Sequence, residues 1–472
     1  MIIRYLSIAS LAASVVSVPA YAAPSVFPTG TTLYQPAKAY NCFVLFGAPD
    51  GKTHLIDMNG TEVHRWEKTG FPSEMLDPQV TDGKLGHIAV QLENGKSPYG
   101  DIFANHTIGE LDWEGKTVWE WGSQAPGGVA RQNHDRDHLP NGDTIIVATQ
   151  DRVVAGVGAY PIADQKLEEI APSGAIVWSW SVGDHLDQFG IPPEGRDLLR
   201  KIYAKGGKGM GFLTINDMQP LGRNKWFEGG DARFNPDNIM IDSREASFVA
   251  IIEKKTGNIV WRLGPDYRTE HSTTGGTASV SSDLRPVLSS EVPRPVDQTS
   301  GQHDAHIIPE GLPGAGDLLV FDNEGSSGFP PTHLSVLQGS RVLEIDPIKK
   351  EIVWQYSAEA SDRPIWSFFS SFISSARRLP NGNTLIDEGM NGRMFQVTPK
   401  GEIVWEYVNP YFGRQTLASD RKILTNWVYR AQPIPYTWVP ADTPHGESAV
   451  DPIDIATFRV PTQKVPRAVG PG

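Results

Sequence analysis

Cysteine is nearly missing from this sequence, which has one thiol, Cys42, among 472 residues. A single cysteine excludes an internal disulfide, a thiolate zinc cage and an iron–sulfur cluster. Basic residues are also too few to balance the acidic ones. The chain has 42 Lys and Arg against 55 Asp and Glu, which gives a formal net charge of −13. A chain of this charge, without a basic stripe, is not expected to bind nucleic acid.

Long apolar runs are scarce as well. The N-terminal run covers residues 6–18, which is shorter than the ~20 residues that a membrane-spanning helix needs. Arg4 precedes this run, and residues 20–22, Ala-Tyr-Ala, follow it as a small-x-small cleavage site. This order predicts a signal peptide over residues 1–22 and a mature chain that is periplasmic or secreted, with no membrane span.

The sequence also lacks the common nucleotide and hydrolase signatures. No Gly-x-Gly-x-x-Gly follows a strand pattern, and neither a Walker loop nor a Gly-x-Ser-x-Gly elbow occurs. With 39% hydrophobic residues and 13 Trp, the chain can still bury a core. We therefore expect a folded protein and, if it is an enzyme, one that acts without a nucleotide or another cofactor.

A short phrase recurs six times along the chain, as a Gly- or Lys-containing turn followed by an alternating strand that ends in tryptophan. The six copies end at Trp66, Trp119, Trp178, Trp261, Trp354 and Trp405. Each copy follows another strand-like segment, so each unit ends in a hairpin. The tryptophans are spaced by 51 to 93 residues, and four strands with turns need about 40–50. The two longest steps therefore imply inserted loops.

This repeat predicts an all-β fold, a six-bladed β-propeller with inserted loops. The propeller is expected to be one domain over residues 23–472, with its core at about 40–440 and an irregular tail at 440–472. Residues 42–66 supply about three strands, so residues 423–429 are predicted to complete the same blade and close the ring with N- and C-terminal strands. An insert is expected at 265–299, and a helix at 196–205.

A second phrase opens several units and brings His134, Asn216, His303 and Ser374 to the same place in each. The first strand of a propeller blade lines the central channel, so these residues are expected to meet at one mouth of it. Imidazoles suit nucleophilic and acid–base work near neutral pH, so His134 and His303 are candidate catalytic residues. The alternative is that both histidines tie blades together through the Asp residues that follow them.

Anion and metal binding are two further possibilities. Arginine matches sulfate or phosphate with paired donors, and Arg244, Arg341 and Arg393 are candidates, although each could instead form an ion pair between blades. His303 and His306 could bind a metal, but strand alternation places residues three apart on opposite faces unless a bulge intervenes. No metal is predicted.

Several segments resemble the bacterial arylsulfate sulfotransferases. They are residues 302–309, Gln-His-Asp-Ala-His-Ile-Ile-Pro, the glycine-rich turn at 311–316, the strand Leu-Val-Phe-Asp-Asn at 319–323, and residues 378–386 and 401–407. The likeness runs from about residue 40 to 440. It implies an exported six-bladed propeller that moves a sulfuryl group from a phenolic sulfate ester to a phenol through a sulfated histidine, without a nucleotide donor. The implied partners are small aryl sulfates and phenols.

The resemblance also implies roles for individual residues. His303 matches the family's Gln-His and is the first candidate for the channel histidine; His306 is the second, and His134 is a candidate general acid. Asn216, Arg244, Arg341 and Arg393 are assigned to substrate binding. This sequence departs from the family at Thr214, where a histidine is usual, and at Glu324, where an arginine is frequent. The phenol ring is expected to stack on aromatic residues at the mouth, namely Trp366, Phe368, Phe369 and Tyr411.

Two other functions stay open. Residues 256–261 resemble the docking repeat of pyrroloquinoline quinone propellers, which suggests a quinone-binding oxidoreductase, but those rings usually carry eight repeats and six are visible here. The other alternative is a non-catalytic binding propeller, whose function would survive the replacement of His303.

Overall fold

The computed structural model describes residues 28–94, 105–191, 193–264, 299–325, 339–416 and 422–452. The predicted signal peptide and nearly all of the predicted insert lie outside these residues. Two helices occur in the described chain, α1 (Pro193–Ile202) and α2 (Lys225–Glu228). Helix α1 overlaps the predicted helix at 196–205, but it begins and ends three residues earlier. Neither helix is long and apolar enough to cross a bilayer.

The rest of the described chain is mostly β-strand. In chain order the strands are β1 (Gly30–Tyr34), β2 (Phe43–Gly47), β3 (Thr53–Ile56), β4 (Glu62–Trp66), β5 (Glu74–Met75), β6 (Ile88–Asn94), β7 (Asn105–Leu111), β8 (Thr117–Trp121), β9 (Gln132–His138), β10 (Thr144–Arg152), β11 (Ile162–Ile170), β12 (Ile176–Ser181), β13 (Gly207–Phe212), β14 (Asp217–Pro220), β15 (Ile239–Ser243), β16 (Phe248–Ile252), β17 (Ile259–Leu263), β18 (His303–Ile307), β19 (Leu318–Asp322), β20 (Arg341–Asp346), β21 (Glu351–Tyr356), β22 (Ser375–Arg378), β23 (Thr384–Glu388), β24 (Arg393–Val397), β25 (Ile403–Val408), β26 (Gly413–Thr416), β27 (Lys422–Thr425) and β28 (Ala431–Ile434).

These strands form antiparallel meanders that follow one another along the chain. Three sheets have four strands, in the orders β14-β15-β16-β17, β18-β19-β20-β21 and β28-β2-β3-β4, and β22 to β25 form a fourth that β1 extends. A nine-stranded sheet holds the meanders β5–β8 and β9–β12, which are joined through the pair Asn105 and Gln132, with β13 beside β11. The arrangement is all-β and propeller-like, as the repeat predicts.

The N- and C-terminal parts of the chain share one sheet, because β2 pairs with β28. The predicted partner, residues 423–429, was wrong: β27 forms a separate hairpin with β26. The reason is that the backbone at Val428 and Tyr429 bonds to Gly389 and Ser374 of the neighbouring sheet, so pairing with β2 begins at Ala431. Pro433 is tolerated in β28 because this strand is the edge of its sheet.

Tryptophans in the last strand of each meander join it to the next meander. Each indole Nε1 donates to a backbone oxygen in the last turn of the following meander, at 2.7 to 3.0 Å: Trp66 to Asp112, Trp121 to Gly174, Trp180 to Gly257, Trp261 to Pro347, Trp354 to Pro399 and Trp405 to Met58. In β8 and β12 the donor is two residues beyond the repeat's own tryptophan, on the same face. The last bond runs from the β22–β25 sheet to the turn between β3 and β4.

Between the sheets, aliphatic side chains pack face to face. One such cluster brings Met240 and Ile251 of one sheet against Val320 and Leu343 of the next, and all four are at most 1% exposed. Burial of this kind, at roughly 25 cal/mol per Å² of apolar surface, drives the association of the sheets. The inner strands β9, β14, β18, β22 and β28 are left to position the polar site.

Candidate active site

A regular set of hydrogen bonds links the inner strands. Asp135 Oδ2 accepts from the N–H of Met218 at 3.0 Å, Asp304 Oδ2 from Ala376 at 3.0 Å, and Ser375 Oγ from Ala431 at 3.3 Å. In each case the acceptor follows the residue that the sequence repeat singles out, and the donor lies two residues after the equivalent place in the next strand. We call these places the ring positions, and they are His134, Asn216, His303, Ser374 and Tyr429.

The backbone is strained at the ring positions and beside them. His134 and Asp304 both have a φ of 59°, and Ile373 and Ser374 have φ values of 55° and 94°. Left-handed conformations are uncommon for residues other than glycine, and strain of this kind concentrates at functional sites. A bulge between His303 and His306 also removes the expected alternation, because they pair with Phe321 and Leu319, two residues apart.

His303 is buried and firmly held at the ring. Its Nδ1 lies 2.7 Å from Asn323 Oδ1 and 3.1 Å from the Gly301 oxygen, while Nε2 accepts from the Ile373 N–H at 3.2 Å. These contacts assign the proton to Nδ1 and the lone pair to Nε2. Burial, together with the charge of Arg244, lowers the pKa of His303 well below its ordinary value. The imidazole is therefore neutral at pH 7.

Asn323 fixes the orientation of this imidazole. Its Nδ2 donates to the backbone oxygens of Ser370, at 2.7 Å, and Ile373, at 2.8 Å. The amide oxygen is therefore left facing the His303 Nδ1–H. The side-chain partner of His303 is therefore Asn323, directly after β19. It is not Asp304, as the alternative in which the histidines tie blades together supposed.

His134 occupies the equivalent position on β9 and is also buried. Burial, with the charges of Arg244 and Arg430, lowers the pKa of His134 to about 3 against the opposing effect of Asp135. Its ring centroid lies 5.6 Å from that of Tyr429, and the Tyr429 centroid lies 6.2 Å from that of His303. Two neutral imidazoles therefore flank one tyrosine ring.

Arg244 supplies the positive charge beside these histidines. Its backbone N–H donates to Asn216 Oδ1 at 2.6 Å, and Asn216 Nδ2 donates in turn to the Gln302 oxygen at 3.2 Å. One Nη of Arg244 contacts Glu245 at 2.5 Å. Its Nε, which is buried, has no hydrogen-bond partner within the described ranges. Arg244 can therefore donate to an anion, and Asn216 holds it in place.

Aromatic side chains surround the same space. The Phe71 ring lies 4.6 Å from Tyr429, Phe372 lies 6.0 Å from His303, and Trp427 lies 5.9 Å from Phe372. These aromatic residues are not the predicted ones. The prediction was wrong for Phe368, which packs in a hydrophobic core, and for Tyr411, which stacks on His54. For Trp366, which is 64% exposed, and for Phe369 it stays a prediction.

His306 lies among a different set of groups. Its Nδ1 donates to the Asp304 backbone oxygen at 2.8 Å. Burial, followed by the charge of Arg377, lowers the pKa of His306 well below its ordinary value, and Arg430 adds to this effect. Although the bulge gives His303 and His306 the same face, their imidazoles have separate hydrogen-bond partners.

Arg341 and Arg393 are held by carboxylates. Arg341 Nε lies 2.7 Å from Asp322 and 3.4 Å from Glu324. Arg393, which is 1% exposed, lies 2.9 Å from Glu388 and 2.6 Å from Glu406. The predicted role of both arginines in substrate binding stays a prediction, and Arg244 is the predicted arginine that the structure brings to the histidines.

The sequence pattern did not indicate two residues of this site. Tyr429 fell inside a predicted strand, and Arg430 was not singled out, yet both are buried, Tyr429 beside His303 and Arg430 against Asp304. The signal that could have found them is the repeat itself, extended to the C-terminal strand. Among the described residues, no group of three or more His, Cys, Asp or Glu side chains is placed to hold a metal ion.

Comparisons with known proteins identify a family for this chain. The family model "Arylsulfotransferase (ASST)" matches residues 48–430. No curated protein matches the chain. Similar solved structures include a protein of unknown function from Bacteroides caccae (12% identity, 84% of this chain and 99% of that one, TM-score 0.43), a streptogramin B lyase (13%, 86% and 95%, 0.37) and the quinohemoprotein alcohol dehydrogenase of Comamonas testosteroni (11%, 89% and 76%, 0.33). Similarities this low carry no functional information.

The fold and the site define a propeller-like protein in which neutral histidines and an arginine share a site lined by aromatic residues. Because the family match covers most of the sequence, the chain belongs to the arylsulfotransferase family. This membership supports a function as an aryl sulfotransferase, acting on aryl sulfates and phenols.

Proposed function

We propose that the protein is an exported enzyme that moves a sulfuryl group from a phenolic sulfate ester to a phenol through His303, without a nucleotide donor. One observation carries the proposal: a neutral His303, held at Nδ1 by Asn323, stands beside Arg244, whose Nε lacks a hydrogen-bond partner in the described chain. A nucleophilic nitrogen with an unprotonated electron pair and a nearby cation are what an anionic sulfate ester requires.

We further propose that the sheets form a closed ring of six blades, with the nine-stranded sheet counted as two. The six indole hydrogen bonds support this closure, because the bond from Trp405 returns to Met58 in the sheet that contains Trp66. Pairing of β2 with β28 within that sheet gives the same order. Export through a signal peptide at residues 1–22, followed by one domain, is part of the proposal and rests on the sequence alone.

In the first half of the reaction, Nε2 of His303 attacks the sulfur of the ester. A nitrogen–sulfur bond forms as the bond between sulfur and the phenolic oxygen breaks, and the phenolate leaves with the electron pair. The Nδ1 proton stays in its hydrogen bond to Asn323. Arg244 donates to the sulfuryl oxygens, and the Ile373 N–H, released from Nε2, is placed to do the same.

In the second half, an acceptor phenol attacks the sulfur and the bond to Nε2 breaks. The phenol must lose its proton, and His134 is the nearby imidazole that can accept it. A bound sulfuryl group offsets the charge of Arg244, which otherwise lowers the pKa of His134. The pKa of this imidazole therefore rises when the site is occupied. Phe372 and Trp427 offer faces on which the phenol can stack.

The test is the release of 4-nitrophenol from 4-nitrophenyl sulfate by the purified mature chain, with and without added phenol. Release should depend on the acceptor and should be lost in His303→Ala. The control variant is His445→Ala, which removes an exposed histidine outside the channel and should keep wild-type release. A parallel His306→Ala variant separates the two candidate histidines.

Each result has a defined meaning. Transfer that survives in His303→Ala but is lost in His306→Ala would reassign the nucleophile. Mass spectrometry of the protein mixed with donor alone should show one added sulfuryl group on the peptide that contains His303. If no phenol supports release and no sulfuryl group is added, the transferase proposal fails and a non-catalytic binding propeller becomes the better explanation.

A further inference from the structure

Arg430 stands one residue after a ring position, as Asp135, Asp217 and Asp304 do in their own strands. The ladder of hydrogen bonds establishes this equivalence, because the N–H of Ala431 bonds to Ser375 as the N–H of Ala376 bonds to Asp304. The three aspartates therefore occupy equivalent positions on neighbouring inner strands, one residue after the ring positions. Arg430 places a cation at the same position of the C-terminal segment.

The guanidinium of Arg430 contacts all three carboxylates. Nη1 and Nη2 lie 3.0 and 3.2 Å from the two oxygens of Asp135, Nη2 also bonds to Asp217, and Nε lies 2.9 Å from Asp304. Arg430 is 6% exposed. The Arg430 side chain, from the residue directly before β28, thus joins the inner strands β9, β14 and β18, in each case at the residue after the ring position. The planar five-donor guanidinium is the group that can contact several carboxylates in this way.

The residue before Arg430 is the tyrosine between the two histidines. The Tyr429 hydroxyl donates to the Asn216 backbone oxygen at 2.6 Å. The aromatic ring is therefore held at one end by its own backbone and at the other by Asn216 across the channel. Its centroid lies 5.6 Å from His134 and 6.2 Å from His303. A shift of Arg430 would move this ring against both imidazoles.

We infer that Arg430 is a positioning residue, which sets the Tyr429 ring between His134 and His303 by binding the carboxylates that follow His134, Asn216 and His303. The inference rests on the proposed function for its effect on turnover, because the spacing of the two imidazoles matters there for sulfuryl transfer. Arg430 does not contact the reacting atoms. It acts through Tyr429 and through the inner strands β9, β14 and β18, which lie at the ring positions His134, Asn216 and His303.

The test replaces Arg430 by lysine, which keeps the charge but cannot contact three carboxylates with a fixed fork of donors. The control is Arg378→Lys. Arg378 is likewise buried, bonds to Glu344 and lies 4.8 Å from the Trp354 ring, and its charge does not act on His134 or His303. We expect Arg430→Lys to lower kcat for 4-nitrophenyl sulfate by about tenfold to a hundredfold, as misplacement of this kind does. Arg378→Lys should keep the wild-type kcat.

A second readout does not depend on activity. In NMR spectra of the protein with ¹³C-labelled histidine, Arg430→Lys should shift the signals that disappear in His134→Gln and His303→Ala, and leave in place the signal of the exposed His445. Arg378→Lys should shift neither. Tyr429→Phe keeps the Arg430 contacts and loses the bond to Asn216, so it should shift the same two signals even if Arg430→Lys does not fold.

The possible failures can be told apart. A wild-type protein that transfers no sulfuryl group overturns the proposed function, and the NMR readout still tests the positioning role. Unchanged His134 and His303 signals in both Arg430→Lys and Tyr429→Phe would overturn the inference. So would a folded Arg430→Lys variant with wild-type kcat and KM, because the three carboxylate contacts would then have no effect on the site.

Discussion

Asn323 is the residue whose removal can be worked through most fully. Asn323→Ala removes two donated hydrogen bonds, to Ser370 and Ile373, and one accepted from His303. The His303 Nδ1–H keeps the Gly301 oxygen at 3.1 Å, and the Ser370 oxygen keeps a longer contact with Ser340 at 3.4 Å. The Ile373 oxygen loses its amide donor outright.

The expected cost follows from these contacts. One buried carbonyl left without its donor costs about 1–3 kcal/mol, and two weakened hydrogen bonds add roughly 0.5 kcal/mol each. Asn323→Ala should therefore lower the free energy of unfolding by about 2–4 kcal/mol, measured by urea unfolding followed by tryptophan fluorescence. Turnover should fall as well, because the imidazole loses the group that orients it.

The control for this experiment is Asn141→Ala, in an exposed turn where the side chain bonds to nearby Asp143. Its effect should stay below about 1 kcal/mol. A loss below 1 kcal/mol in Asn323→Ala would refute the reasoning, since it would mean that the buried carbonyls do not depend on the amide. Reduced stability with unchanged turnover would refute the orienting role separately.

Two more predictions follow from burial. Trp405→Phe removes the indole bond to Met58 and should cost about 2–3 kcal/mol in urea unfolding, whereas Trp366→Phe, at an exposed ring, should change little; equal effects would count against ring closure. Because the folded pKa of His134 is about 3 against an ordinary 6.5, the unfolded state binds the extra proton between these pH values, and stability is lost as pH falls through this window. From pH 7 to pH 5, His134→Gln should lose about 2 kcal/mol less stability than the wild type, and parallel pH profiles would contradict the assigned neutral state.

Much of the fold could be predicted because the repeat is local. A glycine at a positive φ, such as Gly257 at 76° or Gly401 at 87°, followed by alternating apolar residues, specifies a hairpin wherever it occurs. The position of the closing strand could not be predicted in the same way. Residues 423–429 are rich in β-branched and aromatic residues that suit any sheet edge. The tertiary hydrogen bonds of Val428 with Gly389 and of Tyr429 with Ser374 decide that β2 pairs with Ala431–Ile434 instead.

The site was predictable to a smaller extent. His134 and His303 could be found because they share a place in the repeat, and Arg244 because its residue type suits an anion. Their partners could not be found, since the bulge at Asp304 is invisible to a two-residue period and turns the carboxylate toward Arg430. Asn323 then takes the place that the adjacent aspartate would otherwise fill.

The sequence by itself determined the hairpin units, their order and the polar residues that open each inner strand, because these depend on neighbours within a few residues. The tertiary structure alone decided which of those groups meet. Arg430 and Asp135 are 295 positions apart, and their contact exists only once the inner strands of different sheets have come together. Burial also decided the charge states, since the desolvation that keeps His134 and His303 neutral comes from all of the surrounding strands together.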